Sequence, residues 1–227
     1  MPKQRSVTSW EHQQIKVDCP WECLDIPGIS FKYTMFFQQY FPQAKPTHKF
    51  LIPEIIVGMT ETKNLIMEVA TSRGRNLRRF LSLGWPGRVV GFDLWDSPEN
   101  TRDTRCPKPC IERAELIQGN VFDTLVPAYQ GEHVDILFLD LDGDPAATMF
   151  TLNVLAQGLT NSFIFVDEFY NSHRWQHRDA RVIADWLIGH NINFDVLYYT
   201  QYGALIKTGS GHNSSYLDDS LNSYIGP

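Results

Sequence analysis

Short apolar runs alternate along the chain with polar or helix-forming stretches, and four of the runs end in acid. These are Leu65-Ile66-Met67-Glu68, Gly91-Phe92-Asp93, Leu139-Asp140-Leu141-Asp142 and Val166-Asp167-Glu168. Each is too short for a free-standing helix and rich in Val, Ile, Leu and Phe, as expected of buried parallel strands that alternate with helices. The pattern predicts strands over Leu65–Val69, Arg88–Asp93, Ala114–Gln118, Val134–Asp140 and Ser162–Asp167. It predicts helices over Pro53–Thr62, Asn76–Leu83, Ala147–Leu159 and Trp175–His190, the last with Ala180, Ile183, Ala184 and Leu187 at helical spacing. Phe194–Tyr199 and Ala204–Lys207 are separated by four residues, too few for a crossover, so they form a hairpin and one strand runs against the rest.

In such a sheet the acids share one edge, outside the carboxyl ends of the strands, where open α/β sheets bind ligands. A row of carboxylates there suits a ribose hydroxyl pair, a divalent metal or a cationic ligand. Residues 1–62 show no clear strand and contain the aromatic run Phe31–Phe41, stopped by Pro42, read as an amphipathic helix that covers the sheet or forms a lid. The organisation expected is thus a helical cap segment (1–62), an α/β domain (63–208) and a mobile tail (209–227) in which Gly, Ser, Asn and Asp predominate. The segment 96–111, rich in Pro, Arg and Asp, reads as a loop.

Composition narrows the class. The 227 residues are 43% hydrophobic and 20% charged, ordinary values for a folded domain. A net charge of −6 argues against a sequence-independent grip on nucleic acid, which rests on many contacts from Lys and Arg to phosphate. There is no apolar stretch of membrane-span length and no apolar leader, so the expected location is the cytoplasm. Cys19, Cys23, Cys106 and Cys110 form two equally spaced pairs that could supply a zinc site, but reduced thiols are the favoured reading.

The turn after the first predicted strand, Glu68-Val69-Ala70-Thr71-Ser72-Arg73-Gly74, carries one glycine, so it has no cradle for the pyrophosphate of a dinucleotide. A ligand without phosphates needs less close approach, and Glu68 could bind an ammonium group such as that of S-adenosylmethionine. Asp93 ends the second strand, with the geometry for a ribose diol. Gly119, Asn120 and Phe122 follow the third. Arg73, Arg75, Arg78 and Arg79 crowd the start of a helix and are read first as a solvated face.

These segments, with Glu115–Leu125, Phe138–Asp142 and Phe165–Tyr170, resemble in order the motifs of class I S-adenosylmethionine-dependent methyltransferases, and more narrowly the macrocin O-methyltransferase family. The resemblance implies a Rossmann-like, seven-stranded, mostly parallel sheet with the last strand antiparallel. It implies a donor site at Glu68, Ala70, Ser72, Gly74, Asp93, Asn120, Phe122 and Asp140, with the adenine beside Gly119, Asn120 and Phe122, and a Mg²⁺ site at Asp140, Asp167 and Glu168. Asp142 matches the family's base, with His173 as the second candidate. The activity implied is Mg²⁺-dependent O-methylation of a small hydroxylated molecule, with sugar-bearing natural products among the acceptors suggested. Two positions depart from the pattern: Ala70 stands where glycine is usual, and Glu168 where aspartate is common. An inactive scaffold of the same fold is the main alternative. The run Asp140-Leu141-Asp142-Gly143 also resembles the opening motif of haloacid-dehalogenase-type phosphatases, but the only lysine after it is Lys207. The aromatic segment near the N-terminus could also serve as a dimer surface.

Overall fold

The computed structural model describes residue 37 and residues 41–95, 107–141, 144–167, 178–201 and 203–209. The predicted alternation is realised in one mixed sheet. Its strands are β1 (Lys45–Pro46), β2 (Leu65–Val69), β3 (Arg88–Asp93), β4 (Glu115–Gln118), β5 (Ile136–Leu139), β6 (Phe163–Val166), β7 (Phe194–Tyr199) and β8 (Ala204–Thr208). They lie in the order β1-β7-β8-β6-β5-β2-β3-β4, and all pairings are parallel except those of β8 with β6 and β7. The antiparallel β8 is the strand that the four-residue connection predicts.

Strand alternation divides the core into two layers. Leu65, Met67 and Val69 of β2, Leu137 and Leu139 of β5, and Ile164 and Val166 of β6 face one side, where they meet helices α3 (Val121–Ala128), α4 (Pro145–Leu155) and α5 (Arg178–Gly189). Ile66, Ile136, Phe138, Phe163 and Phe165 face the other, against α1 (Ile52–Met59) and α2 (Arg75–Ser82). Glu68 has the parity of Ile66 and therefore points toward α1 and α2, a carboxyl on an otherwise apolar face.

Two features differ from expectation. Residues 45–46 form a short strand within the supposedly helical N-terminal segment: Lys45 and Pro46 pair with Tyr198 and Tyr199 of β7, and Thr47 N–H donates to Tyr199 O at 2.8 Å. Pro46 cannot donate to a ladder, which suits it to an edge strand. Helix α3 was hidden by Pro127, which reads as a breaker but sits in the last turn. The cap ahead of Pro145 is Asp144, whose Oδ1 accepts from Ala146 N and Ala147 N at 2.9 and 3.1 Å.

Of the aromatic run, Phe37 and Phe41 are described. Both are buried, Phe41 N–H donates to Phe37 O at 2.7 Å in the helical pattern, and Phe37 stacks on Tyr199 with ring centroids 4.3 Å apart. The rest of that run, the tail beyond residue 209, residues 96–106, Asp142, Glu168, His173, Cys19, Cys23 and Cys106 lie outside the described residues. Cys110 is exposed and free.

Candidate functional site

The strand order turns between β2 and β5: β3 and β4 extend to one side, β6 and the later strands to the other. A crevice opens at such a point, outside the strand ends. Here it is a cleft of about 860 Å³ between the ends of β2 and β5, the start of α2, and the segment leading into α1; Lys49, Glu54, Glu68, Ser72, Arg75 and Asp140 are among its walls. The cleft brings together two of the acid-ended runs, at Glu68 and Asp140.

Glu68 is the most perturbed group in it. The side chain is buried, its Oε1 accepts from Asn76 Nδ2 of α2 at 2.7 Å, and its Oε2 has no hydrogen-bond partner among the described residues. Burial pushes this carboxyl up to about 8; the Asn76 hydrogen bond and the Lys49 charge oppose the rise, and Asp140 and Asp93 add to it. A buried carboxyl with a spare oxygen at a cleft wall is built to receive a donor or a cation.

The turn after β2 is held by its neighbours. Ala70 N and Thr71 N both donate to Phe92 O, at 2.9 and 3.0 Å, and Thr71 Oγ1 donates to Glu68 O at 3.1 Å. Ala70, Ser72 and Gly74 take left-handed φ values of 67°, 51° and 67°. Such a conformation costs a residue with a Cβ roughly 1–2 kcal/mol. That is the physical reason glycine would be favoured at Ala70. Gly74 also caps α2, where an added Cβ would lie 2.4 Å from Ile111 Cδ1.

Asp93 is half-buried and already committed to this turn. Its Oδ2 accepts from Ser72 N at 2.6 Å and its Oδ1 from Trp95 N at 3.1 Å, while the buried Trp95 donates its Nε1–H to Ser72 O at 2.7 Å. A carboxylate offers about four lone-pair sites, so two remain for further donors. Asn120 caps α3 by accepting from Phe122 N at 3.1 Å, and Phe122 is exposed with its ring against Phe150. Glu68, Ser72 and Asp140 thus line the cleft, Ala70, Gly74 and Asp93 build its turn, and Asn120 and Phe122 stand two strands away beyond β4.

The acids on β5 and β6 do converge. Asp140 N–H donates to Val69 O and Asp167 N–H to Leu139 O, which carries the backbone hydrogen bonding of the sheet past the last strand residues and sets the two carboxyls side by side. Between them lies the ammonium of Lys49, hydrogen-bonded to Asp167 Oδ2 and 3.5 Å from Asp140 Oδ2. Burial and the Asp167 charge raise the Asp140 carboxyl to about 6, with Lys49 opposing. Burial disfavours the charged lysine, but the two carboxylates outweigh it and hold its ammonium above the ordinary value. In this arrangement the pair does not fit a divalent ion, because a positive group of the protein already holds the position between the oxygens. No group of three or more potential metal ligands occurs among the described residues.

Lys49, Asn76 and Thr71 were missed by the sequence reading. Lys49 sits in a short 3-10 turn (Lys49–Leu51) with no motif around it; the only available signal was that two buried acids require a counter-charge. The arginines of the α2 start divide: Arg73 and Arg75 line the cleft, and Arg79 pairs with Glu54 across it.

No family model and no curated protein matches the sequence. A solved structure from Clostridium thermocellum, named as an rRNA methylase, matches with a TM-score of 0.51 and 18% identity, over 73% of this chain and 98% of that one. The fold is the Rossmann-like fold of class I methyltransferases. A sugar N-methyltransferase from Streptoalloteichus (TM-score 0.49, 10% identity, 81% of this chain and 94% of that one) is also similar. So is a protein from Staphylococcus aureus named as a caffeoyl-CoA O-methyltransferase (0.46, 14%, 79% and 92%). At TM-scores below 0.5 these two likenesses add nothing to the assignment. No helix among the described residues is long and apolar enough to cross a membrane.

Proposed function

We propose that the protein is an S-adenosylmethionine-dependent methyltransferase acting on a hydroxyl of a small molecule. The observation that carries the reading is Glu68: a buried carboxyl, one oxygen unpartnered among the described residues, at the wall of a cleft at the switch point of this fold. The residues present fit the donor. The spare Glu68 oxygen accepts from its ammonium, Arg73 and Arg75 at the rim lie to hand for its carboxylate, and Asp93 retains lone pairs for its ribose hydroxyls. Asn120 and Phe122 remain the proposed neighbours of the adenine. When bound, the donor supplies a sulfonium methyl group.

The chain's own part is orientation and proton removal. The acceptor oxygen attacks the methyl carbon as the carbon–sulfur bond breaks, and the hydroxyl proton passes to a carboxylate at the same strand edge. Asp142 is the proposed base, with His173 second; help of this kind is typically worth about 10² to 10⁴ in rate. No step is assigned to a metal.

The test is calorimetry with S-adenosylmethionine and with S-adenosylhomocysteine. Wild type should give a binding heat with both. Glu68→Gln, which removes a charge-assisted contact worth about 1.5–3 kcal/mol, should bind about ten- to a hundredfold more weakly. A second reading, an inactive binding protein of the same fold, draws support from Lys49 across the acid pair and from the strain at Ala70. Absence of any heat from the wild type would favour it.

A further inference from the structure

We propose that Lys49 is the resident cation of the Asp140 and Asp167 pair, and that by holding this position it closes the space between the two carboxyls to divalent metal. The inference rests on geometry and is independent of the methyl-transfer reading.

The lysine is delivered by fixed structure. β1 seats residues 45–46 beside β7, the Thr47 N–H to Tyr199 O bond extends that register, and the turn of Lys49–Leu51 then enters α1, whose Ile52 and Ile56 are fully buried. The backbone of Lys49 is therefore held between a paired strand and a buried helix. Its side chain crosses to the ends of β6 and β5, bonding Asp167 and approaching Asp140 to 3.5 Å. A tethered cation competes as an intramolecular ligand, at an effective concentration that free ions in the millimolar range do not exceed.

Asp167 Oδ1 is buried without a hydrogen-bond partner among the described residues, so the lysine blocks the position between the two carboxyls and not every oxygen of the pair. Asp140 Oδ2 and Asp167 Oδ2 both face the ammonium, and a divalent ion bridging them would meet a like charge at contact distance. Mg²⁺ also demands near-ideal octahedral geometry around itself. For a metal to enter that position, Lys49 must leave, and the constraint at both of its flanks keeps it in reach. Lys49 is here a positioning residue: it fixes the two carboxylates and neutralises part of their charge at the cleft wall.

The experiment uses Mn²⁺ alone with the full chain, read by electron paramagnetic resonance of free ion and by calorimetry, with no methyl donor present. Wild type should show no stoichiometric binding at millimolar Mn²⁺. Lys49→Met, which vacates the position while keeping the packing of the stem, should bind one Mn²⁺ at least tenfold more tightly than wild type. The double variant Lys49→Met with Asp167→Asn should lose that gain. If Lys49→Met does not fold, Lys49→Gln makes the same comparison. Stoichiometric binding by wild type that Asp167→Asn removes would overturn the proposal, as would lysine variants that bind no better than wild type. Because no donor is involved, failure here is distinct from failure to bind S-adenosylmethionine.

Discussion

Replacing Glu68 by glutamine should change how stability depends on pH more than it changes stability itself. A carboxyl held up to about 8 in the fold, against 4.5 when exposed, keeps its proton after the unfolded chain has lost one. Stability from this group is therefore complete below about pH 4.5 and is lost as pH rises toward 8, at up to about 1.4 kcal/mol per pH unit. Over the whole interval the bound is about 5 kcal/mol. The realised loss should be smaller, because Glu68 lines an open cleft and water can follow its ionisation. Asp140, raised to about 6, acts in the same sense at lower pH and is common to both proteins, so the comparison belongs between pH 6 and 8. In that window wild type should lose about 1–3 kcal/mol relative to Glu68→Gln. At pH 6, already above the unfolded value of 4.5, Glu68→Gln should be the more stable by up to about 2 kcal/mol, since the glutamine oxygen still accepts from Asn76 and its amide takes the place of the carboxyl OH without the proton that the unfolded wild type has given up. Urea unfolding followed by tryptophan fluorescence at pH 6, 7 and 8 measures the difference. Parallel losses in the two proteins would refute the claim that Glu68 is buried uncharged.

Other perturbations test the scaffold around the cleft. Asp135 is buried and accepts from Asn64 N at 2.6 Å, Leu65 N at 2.8 Å and the Thr62 hydroxyl, joining the starts of β2 and β5. Asp135→Ala strands these donors and should cost about 2–4 kcal/mol, visible as a lower urea midpoint with an unchanged slope. A Cβ at Gly87 would lie 2.2 and 2.3 Å from the carbonyl oxygens of Lys63 and Asn64, so Gly87→Ala should lower the soluble yield and the melting temperature sharply. Gly58, exposed in α1 with nothing within 4 Å of a Cβ, gives the opposite expectation: Gly58→Ala should stabilise by about 0.5–1 kcal/mol in the same melt.

The sheet was legible because burial on both faces leaves a plain mark, a short apolar run. Leu65–Val69, Arg88–Asp93 and Phe194–Tyr199 occur where the pattern puts them, and the short connection before Ala204 foretold the antiparallel strand. What the pattern left unmarked was structure without an apolar period of its own. β1 is two residues long and gains its identity only from Tyr198 and Tyr199. α3 depends on an Asn120 cap and on where Pro127 falls in its last turn, and neither is an apolar period.

The site divides along the same line. Glu68 and Asp140 could be placed on one edge of the sheet because the carboxyl ends of parallel strands share it, and that much follows from alternation alone; that β2 and β5 are neighbours comes from the strand order. The position of Lys49 depends on β1 pairing with β7 and on the turn into α1, a chain of tertiary contacts with no local signature. Yet the electrostatics demanded something of its kind. Two carboxyls side by side and partly withdrawn from water repel one another, and one stays protonated unless a cation compensates. A strand-end acid pair therefore announces a positive partner without saying which. Metal, lysine and a cationic ligand all supply positive charge, and they differ in its size and in the tether. A lysine brought by the fold needs no ion from solution. Its covalent attachment makes the acid pair a settled part of the wall, and leaves Glu68, whose spare oxygen has no such partner among the described residues, as the carboxyl in this cleft still awaiting a positive charge.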